Sequence, residues 1–254
     1  MTYNILDGGG DRLELIAKVI NDSAPDFITI NEANGFDENG NKKLVDLSYA
    51  TNMPYFHLAL SGEYDYHVAI LSKHPLKKVH ELHPLMRAGI AAIIDSESGE
   101  IYITGTHLTP YSEELRVPEI ELLISDQKDY PNRILMGDMN SLSQNDNYSS
   151  SIVQDFNEPQ LKKFTKAGCL LFEIIEKIEA SGYTDAAVEL SLQSENTAPT
   201  LSNTDVTHAK TRLDYIFVSP SLKKRLVRYS VIKNELTEQA SDHYPVLIEL
   251  KLQN

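Results

Sequence analysis

The first strongly patterned stretch puts Leu13, Ile16 and Ile20 on one face at helical spacing and stops at Pro25, which predicts an amphipathic helix. Asp11 and Glu14 lead into that face with the spacing of a capping box. PDFITINEA follows as an apolar-rich strand closing on Glu32, and NKKLVDLSYATN reads as a second amphipathic helix. Past it the rhythm changes. Residues 55–60, 67–72, 79–83, 90–94 and 101–106 are brief runs rich in Ile, Val, Leu, Tyr or Ala, parted by turn-formers such as Ser61-Gly62 and Ser98-Gly99. They predict antiparallel strands.

The second half is more polar. Residues 112–126 read as helical, with the helix beginning near Pro118 because proline is best tolerated in a first turn. A strand is expected at 133–137 and a helix at 170–180. Residues 141–160, where Ser, Asn, Asp and Gln show no periodicity, predict a long surface loop, and 193–210 predict another. LDYIFVS, residues 229–233 and VLIELKL supply the last strands, with a basic segment at 223–228. Regular βα alternation would favour a barrel, whereas strand after strand through the middle requires antiparallel pairing. The expectation is an α/β chain of mixed sheets packed face to face with helices outside, in one domain spanning residues 1–254.

Charge and composition narrow the chemistry. Acidic residues outnumber basic ones 37 to 23, a formal charge of −14, which opposes long-range attraction of duplex nucleic acid or an anionic membrane unless a local basic patch overrides it. Cys169 is the single cysteine, so an internal disulfide is excluded, and with Leu170 and Leu171 after it the thiol is expected to be a buried small hydrophobe. The opening MTYNILDGGG lacks the basic start and apolar run of a secretory signal, and no apolar run approaches the roughly 20 residues of a membrane span. A soluble protein of the reducing cytoplasm is the expectation.

Polar residues recur where apolar strands end. These are Asn4 in TYNI, Glu32 in ITINEA, His107 in TGTHL, Asp138 and Asn140 in LMGDMN, Asp214 in RLDYIF, and Asp242 with His243 in SDHYPV. Such positions can converge on one rim of a rigid scaffold. Carboxylates and amide oxygens are hard ligands suited to magnesium or manganese rather than zinc, and two histidines add acid–base capacity near neutrality. Taken singly, each position also has a bland reading: Asp138 and Asn140 could form only a turn. Arg212 can hold a phosphate oxygen or pair with a carboxylate, and Arg116 poses the same choice. Gly8-Gly9-Gly10 can cradle an anion ahead of a helix or simply supply a turn. His67, Tyr66, Tyr111 and His208 are candidate walls for a substrate or ordinary packing residues.

In order along the chain, TYNI, INEA, AILSKHPL, GTHL, GDMNSLS, TRLDYIFVS and SDHYPV resemble the successive motifs of the endonuclease/exonuclease/phosphatase superfamily of phosphate-ester hydrolases. The match runs from residue 2 to residue 247, and its specificity lies in the ordered set, not in any one motif. The resemblance implies a four-layer α/β sandwich of two packed mixed β-sheets with helices on the outer faces. It implies a metal site of Asn4, Glu32 and Asp242, with magnesium as cofactor and manganese as substitute. His107, Asp138, Asn140, Asp214, Asp242 and His243 then become the expected catalytic set, and His107 and Asn140 the expected phosphate contacts, to which the chemistry of Arg212 adds a third candidate. The implied activity is that of a phosphodiesterase or nuclease. A phosphatase for a small soluble or lipid-headgroup monoester is the alternative, and a non-catalytic binding module on the same fold ranks below both.

Overall fold

The computed structural model describes residues 1–97, 99–190, 195–201 and 209–252. The first half alternates strands and helices: β1 (Thr2–Asn4), α1 (Leu13–Ser23), β2 (Phe27–Asn31), α2 (Glu38–Thr51), then β3 (Tyr55–Ala59), β4 (Val68–Ser72), β5 (Lys77–Glu81), β6 (Ala88–Ser96) and β7 (Gly99–His107). Next come α3 (Glu113–Gln127), β8 (Arg133–Asp138), α4 (Glu158–Phe164), the short hairpin β9 (Thr165–Lys166) and β10 (Cys169–Leu170), and α5 (Glu173–Ala180). The chain continues through β11 (Thr184–Asp185), α6 (Ala186–Glu189), β12 (Asp214–Val218), α7 (Pro220–Lys223), β13 (Leu226–Val231), α8 (Glu235–Ala240) and β14 (Val246–Leu250).

Two six-stranded sheets, in the orders β13-β14-β1-β2-β4-β3 and β11-β12-β8-β7-β6-β5, stack to form the core. Each is mixed, with one parallel pair at its centre: β1 with β2 in one, β7 with β8 in the other. Between the sheets lies a continuous apolar layer that includes Ile70, Ile90, Ile103, Met136, Ile216 and Val246. A second layer seats α1, α2 and α8 on one sheet through Ile16, Ile20, Leu44 and Ala240. The third seats α3 and α5 on the other through Ile120, Leu123, Ile174 and Ile178. The expected four-layer α/β arrangement is therefore observed. Among the described residues no helix is long and apolar enough to cross a membrane.

Four local expectations are corrected. Arg12, not Asp11, occupies the N-cap of α1, and no side chain caps it. α3 runs unbroken through Pro118, because the carbonyl that proline leaves unbonded belongs to exposed Glu114, while Ile120 and Leu123 on the opposite face hold the helix to the sheet. The stretch 141–160 is not a plain loop: it contains two 3₁₀ turns, at Gln144–Asp146 and Ser150–Asp155, and the start of α4. Phe156, Phe164, Leu142 and Leu213 bury beneath it as a small separate core, which a search for periodicity does not detect. Cys169 is exposed, since the hairpin turns it away from the apolar layers. Half of the expected 193–210 loop, His208 included, lies outside the described residues.

Candidate active site

The central parallel pairs carry the site. Register aligns His107 with Asp138 across β7 and β8, and Asp138 with Asp214 across β8 and β12. In the facing sheet Asn4 aligns with Asn31, immediately before Glu32. Asn4, His107 and Asp138 are thus last residues of strands, while Asp214 opens its antiparallel strand and Asp242 and His243 stand three or four residues ahead of β14. The sequence reading placed all of them after strands. Antiparallel direction brings strand starts to the same rim.

The chain pays for this placement in backbone strain at two sites: Glu32 has φ +57° and Asn140 φ +49°, values that non-glycine residues adopt at a cost of order 1–3 kcal/mol. Gly137, just before Asp138, has φ +145°, and a Cβ there would stand 1.8 Å from the Thr106 carbonyl oxygen. Only glycine fits. Beneath the rim Asn31 joins the sheets, donating from Nδ2 to Thr106 O at 2.7 Å while its Oδ1 accepts from Asp138 N at 3.3 Å and Thr2 Oγ1 at 3.4 Å.

Asn4 is the bridge within the site. Its Nδ2 donates to Glu32 Oε1 and to Asp138 Oδ2, each at 3.2 Å, while its Oδ1 accepts the Leu6 amide at 3.1 Å. Asn4 therefore enters as a donor between two carboxylates, while its Oδ1 accepts one N–H. Glu32 Oε2 accepts the Asp7 amide at 3.0 Å. Burial raises the Glu32 pKa, opposed by that amide and by His243. Asp242 is buried, near Ser241 Oγ at 3.4 Å, and its charge is felt by both Glu32 and His243. It stands outside the tightest group.

That group is Asp138, Asp214 and His243, all buried, each offering a ligand atom within 4.8 Å of the others. His243 Nδ1 lies 2.7 Å from Asp214 Oδ2. Burial disfavours the imidazolium, but Asp214, Asp242 and Asp138 together raise its pKa to about 10. Asp214 is pushed up by burial. Asp138 is held low against its burial by His243 and Lys163, with the Asn140 amide adding to them. His107, with Nε2 3.5 Å from Asp138 Oδ2, goes the other way: burial drives it down to about 3, so it is neutral. Asn140 donates its backbone N–H to Asp138 Oδ1 at 2.9 Å and its Nδ2 to Leu108 O at 2.7 Å, and its Oδ1 accepts from Lys163 Nζ.

Arg212 is the predicted contact that the fold places elsewhere. Its Nη2 lies 2.7 Å from Asp146 Oδ1 and 2.7 Å from Asp185 Oδ2, with the side chain 1% exposed. It ties the 141–156 segment to the core. Arg116 is likewise committed, to Thr109 O and Lys163 O. Two amides of the glycine triplet donate to Glu32 O and Leu6 O, so the triplet is a turn. His67 is buried and accepts the Ser61 amide, whereas Tyr66 meets the His107 ring edge-on with centroids 6.5 Å apart. Sequence reasoning missed Asn31, Lys163 and Thr197, whose Oγ1 accepts the Leu213 and Asp214 amides. Lys163 and Thr197 follow no apolar run, and Asn31, which does, stands one place ahead of Glu32. Asn31 looked like one more strand residue.

A family model described as the Endonuclease/Exonuclease/phosphatase family matches residues 1–243. The chain belongs to this family. Similar solved structures include an AP endonuclease from Archaeoglobus fulgidus, at TM-score 0.72 and 18% identity over 98% of this chain and 97% of that one. A 3′ phosphatase from Neisseria bound to product DNA hairpin matches at TM-score 0.71 and 18% identity, covering 98% of both chains. A mannosyl-6-phosphatase from Bacteroides thetaiotaomicron matches at TM-score 0.64 and 17% identity, covering 98% of both. No curated protein matches the chain. Membership of the endonuclease/exonuclease/phosphatase family supports a phosphoesterase.

Proposed function

We propose that the chain hydrolyses a phosphate ester by in-line attack of a water molecule, with magnesium or manganese as its resident ion. The observation that carries this reading is the convergence of Asp138, Asp214 and His243 within 4.8 Å, joined to Glu32 through the shared Asn4 amide. The donor chemistry fits a hard ion: Glu32 and Asp138 offer carboxylate oxygens on either side of Asn4, burial penalises the charge of each, and Asp242 adds negative charge beside them. Such an ion, when bound, neutralises charge on the phosphoryl and leaving oxygens.

The chain's own residues supply the rest. Asp214 holds Nδ1 of His243 and leaves Nε2 for proton transfer, the arrangement that fixes a histidine as a base. Positive charge at Glu32 and Asp138 would lower the His243 pKa from about 10 toward the range a base requires. Asp138 and His243 together prepare the attacking water. Neutral His107 donates to the phosphoryl group, and Asn140, its amide aimed by Leu108 O and Lys163, does the same.

A phosphodiester, including that of nucleic acid, is the first substrate reading, since nucleases stand among the structural neighbours. A compact monoester, soluble or on a lipid headgroup, is the second, favoured by the formal charge of −14. A magnesium-dependence screen over single- and double-stranded nucleic acids, small diesters and monoesters tests both. Ion-dependent turnover of at least one class is expected, and inertness toward all of them with magnesium and manganese would refute the proposal.

A further inference from the structure

Arg87 lies at the rim but in none of the motifs. It directly precedes Ala88, the register partner of His107. Its Cζ lies over the Tyr66 ring, 3.2 Å from the centroid, and the Tyr66 and His107 rings meet in a T-shaped pair. Nη1 is shut off from solvent and has no hydrogen-bond partner among the described residues. Glu119, a carboxylate that feels the Arg87 charge, has both oxygens taken, by Met86 N at 2.8 Å and Thr109 N at 2.9 Å.

This guanidinium lines a cavity of about 470 Å³ together with Asn34, Tyr64, Asp65, Tyr66 and Tyr111. The cavity is bordered by both motif loops, since Asn34 is two residues past Glu32 and Tyr111 four past His107. Its frame is fixed by backbone bonds. Gly62 N donates to Arg87 O at 3.1 Å and Glu63 N to Met86 O at 2.7 Å, while Glu119 clamps the Met86 and Thr109 flanks to one another. Tyr64 and Tyr111 are 75% and 48% exposed, leaving ring faces available for contact. Asp65, the one carboxylate in the lining, is exposed to water.

A guanidinium that lines a cavity without an ion-pair partner among the described residues, in a chain of net charge −14, is suited to a phosphate oxygen. The volume lies in the range of small-ligand sites, roughly 300–1,000 Å³. Resting on the phosphoesterase reading above, we propose that this cavity is a second-anion subsite. It selects phosphate esters that carry a further phosphate beside the one being hydrolysed. Arg87 holds the further phosphate, and Tyr64 and Tyr111 flank the ring that joins the two. The same chemistry occurs at the end of an oligonucleotide and in a small bisphosphorylated metabolite.

The test uses the full chain with magnesium and compares thymidine 3′,5′-bisphosphate, the 5′-phosphorylated dithymidine dinucleotide and p-nitrophenyl phosphate. Arg87→Gln should lower kcat/KM for the two-phosphate substrates at least tenfold more than for p-nitrophenyl phosphate, chiefly through KM, and Arg87→Lys should recover part of the loss. A differential effect confined to the bisphosphate assigns the site to a small metabolite. One that extends to the dinucleotide assigns it to a nucleic-acid end. Equal losses on all three substrates, in both variants, would overturn the subsite while leaving the hydrolytic reading in place. If no ester is hydrolysed, calorimetry with thymidine 3′,5′-bisphosphate decides: binding weakened tenfold or more by Arg87→Gln retains the subsite and retires the hydrolytic reading, and binding indifferent to Arg87 retires the subsite as well.

Discussion

Replacing Asn31 by leucine should damage the fold and the site together, because this one side chain joins the two sheets directly beneath Asp138. Leucine keeps the volume and removes three hydrogen bonds, to Thr106 O, Asp138 N and Thr2 Oγ1. At about 1 kcal/mol net per bond, with a further penalty of ~1–3 kcal/mol for a buried group left without a partner, the loss should be about 3–4 kcal/mol after partial relaxation. The longer bonds, at 3.3 and 3.4 Å, count least in that sum. Freed from Asn31, the Asp138 amide would let the carboxylate drift from Asn4 and His107, and a displacement of about 1 Å can cost a hundredfold in rate. Urea unfolding monitored by circular dichroism gives the stability, and kcat/KM on the substrate found by the screen gives the second number. A loss under 1 kcal/mol together with parental turnover would refute the view that Asn31 sets the Asp138 position.

Three further outcomes follow from the same geometry. Saturating magnesium or manganese should raise Tm by relieving repulsion among buried carboxylates, and Glu32→Gln should remove most of that rise; an unchanged metal titration in the variant would reject Glu32 as the principal ligand. Burial lowers His107 to about 3, so between roughly pH 6.5 and pH 3 the unfolded chain binds a proton the folded chain refuses, and stability falls as the pH drops through that window. His107→Gln should flatten this slope in urea titrations, and parallel curves for parent and variant would contradict the assignment. Arg212→Ala should cost ~3–5 kcal/mol by stranding Asp146 and Asp185; a variant of parental Tm with only KM raised would restore Arg212 to the phosphate.

How far the sequence disclosed this site depended on where each residue's partners lie. Glu32, His107, Asp138 and His243 could be found because each follows or precedes an apolar strand within an ordered series of motifs, and one rim then suffices to gather them. The sandwich was readable because short apolar runs, one after another and parted by turn-formers, require antiparallel pairing and leave few other ways to bury both faces. Arg212 misled because its partners, Asp146 and Asp185, come from segments 66 and 27 residues away, where no local pattern announces a pairing. Asn4 was identified by position, but its role turned on an amide orientation set by the Leu6 N–H. Lys163 belongs to a short helix packed over the site by Phe156 and Phe164, and its reach to Asn140 is purely tertiary.

The most direct test of the central claim is the pair Asp138→Asn and His243→Ala, alone and combined, assayed on a verified phosphate ester after circular dichroism shows each variant folded. Each single change should reduce kcat/KM by roughly a hundredfold or more, the scale of lost acid–base positioning. Combined, they should cost much less than the product of the single losses, because the two side chains prepare one water molecule and act as a unit. Near-parental turnover in both single variants would contradict the mechanism even with the sandwich intact, and fully multiplicative losses would contradict the shared role of Asp138 and His243.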